Sequence, residues 1–552
     1  MAHSMSTWIA QPQEDFQRGM VYERRLGLNE AGFYWDSIFS GTADTLDNSE
    51  LEFDPSKFEQ LISRENVSRT WCAIKQRFPL IGATVDERSQ DDLFFVVGSQ
   101  DLDRIRHPEE VIFKDITSEQ DAENFAQTVI VKERQLSNDL LARVWVLRRT
   151  DTRNTCHVIF HVAHLITDGM ANITLKKTFF DILCGAPFYR PDFLQQLALS
   201  ESSQNLYPNL KYNLARRRWR TTIAQIISAR RQSKLTGGHT LPRKVSDVTP
   251  FTPADSHSRA HFFTQEQTQH IIATCRKNKL TFGNVYPIIG QMATTRILVR
   301  RYLRGEITQA EWEWRKIEPM SSAGPCNLRP FLDNDWLDAG GQEHVCVSVG
   351  FMFFSLPFMP LGTAANLRPG APLPSFADLL PRKRFILRSH SVKQQSKDYF
   401  KHPLFIELSS VYLPTRLERI KNVSSYWREH KAPPKGLSDA PFSPVEQASK
   451  GLVFGNGGSS MGNIDALIPR EYPLNRQLSE KPALLWKNGS GKLHCRPTEL
   501  YLGASTSRRQ LRIGASWDNN VIGEELVGEW LEEVKKAIEF YLIDADLPKT
   551  RL

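Results

Sequence analysis

The sequence predicts a mixed α/β chain built as two large halves. Three observations carry that expectation. At roughly 150 residues per domain, 552 residues exceed what one core fills. Hydrophobic residues make up 40% and charged residues 24%, the balance of an ordinary globular chain. Helical and alternating apolar patterns recur on both sides of one polar stretch, 233–259, which holds Gly237, Gly238, Pro242, Pro250 and Pro253. The division read from these features is 1–232, a linker at 233–259, and 260–552.

Along the first half, FEQLISRENVSRTWCAIKQRF (58–78) places Phe58, Leu61, Ile62, Val67, Trp71, Ile74 and Phe78 at helical spacings, and Pro79 stops the run. Short strands are expected at 80–85 and 93–97. A helix over 118–132 starts at Ser118, with Glu119 and Asp121 in its first turn. LLARVWVLRR and CHVIFHVAH form a hairpin around 150–154. After Asp168-Gly169, apolar residues from Met170 to Leu183 repeat at helical spacing, and Cys184-Gly185 closes the helix. Residues 211–231 form a basic amphipathic segment. In the second half, helices are expected over 265–278, 284–303 and 523–542. Strands are expected at 345–354, 499–501 and around Leu511, Ile513 and Ala515.

Seventy Lys and Arg against 62 Asp and Glu give +8, a mild excess that permits an anionic ligand without demanding nucleic acid. Seven cysteines are scattered, with no C-x-x-C pair, which favours a reducing compartment over a disulfide framework. The first sixteen residues carry no apolar core of a secretory signal. The most apolar stretch, 345–361, contains Ser348, Gly350, Ser355 and two prolines, so it reads as a buried strand and not as a membrane span. The cytoplasm is the expected location. No P-loop, H-E-x-x-H, Cys/His cluster or G-x-S-x-G pattern is present, so no metal and no hydrolase elbow is expected.

One segment concentrates chemistry: Phe160-His161-Val162-Ala163-His164-Leu165-Ile166-Thr167-Asp168-Gly169-Met170. A β-rich strand ends at His164, and four residues later Asp168-Gly169 opens a helix. Histidine titrates nearest neutrality, so His164 is suited to taking a proton from an alcohol or amine and returning one to a leaving group. Asp168 can cap helix amides or pair with an arginine. Gly169 allows a backbone shape or a close approach that a Cβ would block. His161 and His157 read as packing. The basic run Arg216-Arg217-Arg218-Trp219-Arg220 with Arg230-Arg231 has three readings: a solvated face, a phosphate site, or a nucleic-acid contact.

The order strand, H-x-x-x-D-G, helix resembles the CoA-dependent acyltransferase superfamily, which includes plant BAHD enzymes, peptide-synthetase condensation domains and fungal O-acetyltransferases. Further segments agree in family order: 71–80, ending in Phe78-Pro79-Leu80; 264–285, a helix, a basic turn and a second helix start; Cys326-Asn327-Leu328-Arg329-Pro330; and Ser459-Ser460-Met461-Gly462-Asn463. The plant-type D-F-G-W-G segment is absent, and FGNGGSSMGNID (454–465) is the nearest substitute. Length and the lack of carrier modules look most like the fungal enzymes, the trichothecene 15-O-acetyltransferases among them.

The resemblance implies two chloramphenicol-acetyltransferase-like lobes, each a mixed sheet flanked by helices, with a tunnel between them. It implies His164 as general base, Asp168 as a structural residue paired with Arg329, and Ser460 with neighbouring amides as oxyanion donors. Acetyl-CoA would be a cosubstrate, with no permanently bound cofactor. The acceptor would be a hydroxyl of a small hydrophobic secondary metabolite, such as the C-15 hydroxyl of a trichothecene-type sesquiterpenoid. Phe351, Met352, Phe353 and Phe354 fit a greasy pocket wall or ordinary core. A monomer with no nucleic-acid and no membrane partner is expected. Two other classes stay open: a stand-alone condensation or N-acyl transfer from a carrier-bound thioester, and a non-catalytic binding module of the same fold.

Overall fold

The computed structural model describes residues 7–11, 18–477 and 479–544; the ends of the expected halves at 1–6 and 545–552, and part of the segment read for a signal, lie outside them. Three sheets organise the chain. A four-stranded antiparallel sheet runs in the order Ile9–Gln11, Val21–Arg25, Asp92–Gly98, Thr84–Ser89. A six-stranded mixed sheet runs Glu471–Tyr472, Leu484–Leu493, Thr45–Phe53, Thr155–Val162, Ala142–Arg149, Val111–Ile116. The second six-stranded mixed sheet runs Val349–Leu356, Met320–Asn327, Phe454–Asn463, Leu500–Ser507, Gln510–Asp518, Ser256–Phe262. Helices flank these sheets, so the chain is mixed α/β as its patterning predicts.

The hairpin forms from Ala142–Arg149 and Thr155–Val162. All eight residues of TCHVIFHV are buried, because β-branched and aromatic side chains fit a strand covered on both faces. Ser118 caps the helix Glu119–Val131, its hydroxyl accepting from the Asp121 amide at 3.1 Å. The helix expected over 58–78 is two: Phe58–Leu61 and Arg64–Arg77. Ser63 interrupts it, accepting from the Asn66 amide at 3.2 Å, since a serine hydroxyl competes with the helix ladder and starts a new helix instead. The strand expected from residue 80 begins at Thr84, after a turn Pro79–Gly82 that the fixed φ of Pro79 initiates.

The linear division into halves needs a correction. Glu471–Tyr472 and Leu484–Leu493 leave the second half and complete the first six-stranded sheet, Leu484–Leu493 pairing antiparallel with Thr45–Phe53. Nor is 233–259 a loose tether. His239, Thr240, Leu241 and Val245 are buried, Gly238 packs against the Trp314 ring, and Ser256 onward is already strand. A polar segment can be buried when its polar atoms find partners; Arg243, for example, donates to Gln447 Oε1 at 3.0 Å and the Phe454 carbonyl at 3.2 Å. Among the described residues no helix is long and apolar enough to cross a membrane.

Candidate functional site

The Thr155–Val162 strand delivers its chain to the junction of the halves and stops there. The Ala163 amide makes one last bond, to the Leu141 carbonyl at 2.9 Å, and a turn follows as the Ile166 amide reaches back to the Ala163 carbonyl at 3.1 Å. Asp168 then caps the helix Gly169–Leu183: its Oδ1 accepts from the Met170 and Ala171 amides, both at 3.0 Å. The same carboxylate holds the other half. Arg329 Nη1 lies 3.0 and 2.9 Å from its two oxygens, the Ser348 amide donates to Oδ2 at 2.7 Å, and Arg329 Nη2 donates to the Cys346 carbonyl at 2.7 Å. Both side chains are buried. Burial alone raises a carboxylate pKa, but Arg329 and the Ala171 and Ser348 amides outweigh it and hold Asp168 below its ordinary value. Asp168 is thus a saturated acceptor that fixes the loop, with no capacity left to move a proton.

His164 sits differently. It keeps part of its surface exposed, and its ring stacks face to face on Phe33, with centroids 3.9 Å apart and planes within 4°. Nδ1 is buried without a hydrogen-bond partner among the described residues. Burial pushes the imidazole pKa down to about 4; the His164 and Thr167 carbonyls and Asp168 pull it up, and Arg496 pushes it further down. The ring is therefore a neutral base at neutral pH.

Phe33 comes from the helix Leu28–Ile38. Guanidinium groups lie over its ring as well, Arg416 at 5.0 Å and Arg496 at 5.8 Å from the centroid. Asp36, one turn on, binds both, with Oδ2 2.6 Å from Arg416 Nη2 and 2.8 Å from Arg496 Nη2. Its burial is outweighed by Arg496 and Arg416, which hold its pKa below the ordinary carboxylate value. Behind the loop, burial raises Asp44 to about 7, against the opposing pull of Arg134, the Ser37 hydroxyl and the His164 backbone. Sequence reading missed Phe33, Asp36, Asp44, Arg416 and Arg496. One signal was available: Asp36 is a carboxylate directly after the aromatic run Phe33-Tyr34-Trp35 and before Ile38-Phe39, and such a group is buried only with partners.

The structure therefore brings His164, Asp168, Gly169 and Arg329 together. Gly169 takes no left-handed conformation, and a Cβ there would stand 3.5 Å from Met461 Cε, an ordinary contact; the backbone does not require glycine. Ser460 lies on the neighbouring strand Phe454–Asn463. Its side chain is directed to Gly283, 3.5 Å from where a Cβ on that glycine would stand, while Met461 reaches Gly169, as alternation along a strand requires. Ser459, on the Met461 face, accepts from the Tyr501 hydroxyl at 2.6 Å.

His161 is buried against Trp145, centroids 5.6 Å apart, and its pKa falls to about 3 through burial. His157 Nδ1 is 3.1 Å from Asn48 Oδ1, and burial takes its pKa to about 4. Met352 and Phe354 are core, whereas Phe351 is half-buried and Phe353 exposed, so the four make no uniform wall. A cavity of about 550 Å³ is lined by Ile288, Leu356, Pro357, Arg388, Lys393 and Lys397, and one of about 460 Å³ by Ser68, Cys72, Asp103 and Phe188 among others; His164 lines neither. Among the described residues no cluster of three or more His, Cys, Asp or Glu is placed to hold a metal.

No family profile and no curated protein matches the sequence. Solved structures do match the architecture. Trichothecene 15-O-acetyltransferase TRI3 from Fusarium sporotrichioides superposes with a TM-score of 0.66 at 12% identity, covering 98% of each chain. The condensation domain of the monacolin K polyketide synthase MokA gives 0.57 at 10% identity over 95% of this chain and 98% of that one. The chain has the condensation-domain and CoA-dependent acyltransferase fold. Polyketide synthase associated protein 5 from Mycobacterium tuberculosis shares it too, with a TM-score of 0.53, 13% identity and coverage of 93% of this chain and 97% of that one. In that fold the two mixed six-stranded sheets are the cores of two lobes, and the Asp168–Arg329 pair spans the junction between them.

Proposed function

We propose that the protein is an O-acetyltransferase that moves the acetyl group of acetyl-CoA onto a hydroxyl of a small hydrophobic secondary metabolite. The observation that carries this reading is one imidazole, neutral at physiological pH and partly exposed, at the tip of a loop locked to the opposite half by a buried ion pair. A base with that placement is what acyl transfer between two bound substrates needs.

In the proposed reaction His164 Nε2 accepts the acceptor's hydroxyl proton as that oxygen attacks the thioester carbonyl. The tetrahedral oxyanion collapses, the carbon–sulfur bond breaks, and the imidazolium returns its proton to the departing CoA sulfur. No acyl-enzyme forms. Phe33 fixes the ring plane, and the His164 and Thr167 carbonyls favour the transient imidazolium. Ser460 and neighbouring amides remain candidate oxyanion donors; their test is a loss of kcat with an unchanged KM on Ser460→Ala.

Within this class, a trichothecene-type sesquiterpenoid with a free C-15 hydroxyl is the acceptor we put first. The likeness to TRI3 supports it, with a higher TM-score than either of the other two structures above. A monomer in the cytoplasm fits the reading, and all seven cysteines are free.

Incubation with acetyl-CoA and a panel of sesquiterpenoid and polyketide alcohols and amines tests the proposal. His164→Ala should lower turnover roughly 10²- to 10⁴-fold while CoA binding, read by calorimetry, persists. Retained turnover in that variant rejects His164 as base. Turnover only from a phosphopantetheinylated carrier rejects the CoA assignment in favour of condensation.

A further inference from the structure

The charge of this protein is concentrated in one place. Between residues 202 and 246 stand ten Lys and Arg and no Asp or Glu. The whole chain carries only +8, so everything outside that segment is net negative. The segment's centre is the helix Leu214–Gln232, started by Asn213, whose side chain accepts from the Arg216 amide at 2.9 Å. One side of the helix is packed: Ala224 is buried with Leu404 and Leu408, and Ile223 and Ile227 lie against them. Arg220 on that side is spoken for by the buried Glu407.

The opposite side has no such cover. Trp219 and Ile226, seven residues apart and so on one helix face, are 67% and 60% exposed. Ala215, Thr222 and Ala229 share or border that face and are exposed too. Arg218 flanks the stripe on one edge and Arg216 and Arg230 on the other; all three are exposed, and Arg217 lies on the far side of the helix. Arg216 lies over the Tyr212 ring at 4.0 Å. Arg217, Arg218 and Arg230 form no ion pair with any described residue.

We propose that this helix face docks on an anionic phospholipid surface. An exposed apolar stripe holding a tryptophan, edged by arginines and free of acid, is the make-up of a helix that lies in a membrane interface. The arginines supply attraction to acidic headgroups, while Trp219 and Ile226 enter the headgroup boundary. A nucleic acid would meet the same charges but gives Ile226 nothing to bury in, so lipid is favoured. The contact is peripheral, and it replaces the sequence expectation that the protein has no membrane partner. It would bring a soluble catalyst to the phase in which hydrophobic molecules collect, yet it does not depend on the acetyl-transfer reading.

Co-sedimentation with vesicles of phosphatidylcholine alone, and of phosphatidylcholine mixed with phosphatidylserine, tests it on the full chain. The unaltered protein should partition onto the mixed vesicles and much less onto the neutral ones, and added salt should weaken the binding. At about fivefold per arginine, Arg216→Gln, Arg218→Gln and Arg230→Gln together should lower partition roughly 100-fold. Trp219→Ser with Ile226→Ser, which leaves the charge alone, should lower it roughly tenfold or more. These side chains are exposed, so circular dichroism and Tm should not change. Equal binding to both vesicle types overturns the proposal, as does binding that neither variant weakens. Tighter, arginine-dependent binding of a single-stranded RNA oligonucleotide also overturns it and assigns the face to nucleic acid.

Discussion

His164 is held from two sides, and the two sides are built on different principles. On one, Asp168 follows four residues later in the same loop and is fixed by directional, charge-assisted bonds: two helix amides, the Ser348 amide and Arg329. On the other, Phe33 arrives from a distant helix and meets the imidazole by stacking alone, backed by Arg416, Arg496 and Asp36. The polar side sets where the loop is. The aromatic side sets the dielectric and field around the ring, and hence its pKa. Position therefore rests on the polar side, while basicity answers first to the cover that desolvates the ring and only then to the Asp168 charge.

The sharpest way to break the polar side is Arg329→Met. It leaves the Asp168 carboxylate buried beside neutral neighbours, and removing one partner of a buried pair costs about 3–5 kcal/mol. Thermal or urea unfolding should show that loss, and the double variant Asp168→Asn with Arg329→Met should recover part of it. If Arg329→Met costs less than about 1 kcal/mol, the pair does not lock the loop.

On the aromatic side, Phe33→Leu keeps most of the volume and removes the stack, so the expected stability loss is about 1 kcal/mol. Its larger signature is in pH dependence. A less covered ring is less desolvated, so the His164 pKa should rise from about 4 toward 6.5. The acid limb of kcat/KM should move up with it, and by more than in Arg329→Met, where the ring stays covered and only the pull of the Asp168 charge on it changes. A shift in the second variant and none in the first would reverse the assignment of roles.

Stability itself should respond to acid through the same burial. His157, His161 and His164 have folded pKa values of about 4, 3 and 4, below the ordinary 6.5. As pH falls through 6.5 the unfolded chain takes up protons that the folded chain refuses. The contribution is complete above about pH 6.5 and is lost as pH falls toward 4, at up to about 1.4 kcal/mol per pH unit for each histidine. Urea unfolding between pH 7 and 5 reads the slope (pH values bracketing the window from about 6.5 downward); the His161→Asn variant should flatten it by roughly one histidine's share.

The smallest effect expected is at Gly169. A Cβ there meets only Met461, at an ordinary 3.5 Å, so Gly169→Ala should leave Tm unchanged or raise stability by about 0.4–1 kcal/mol through the unfolded state. A rise in KM for acetyl-CoA in that variant would show that the glycine makes room for substrate rather than for the backbone.

The sequence by itself determined the segments whose order is local. The alternation of TCHVIFHV, the cap at Ser118, and the strand–His164–Asp168–Gly169–helix succession are written in neighbours, because strand, cap and turn depend on side chains a few residues apart. Only the tertiary structure decided what meets across distance. It showed that Glu471–Tyr472 and Leu484–Leu493 complete the first six-stranded sheet, that the polar stretch 233–259 is packed, and that Phe33 stacks on His164 while Asp36 holds the arginines over Phe33. Ser460 faces Gly283 while Met461 reaches Gly169, and no pattern in the chain states which face of that strand looks toward the histidine. The physical reason is that hydrophobic burial fixes how much apolar surface an element hides, not against which partner. Partner choice comes from long-range packing and from the few charges, such as Asp36 and Asp168, that are stable inside only where an arginine from elsewhere arrives.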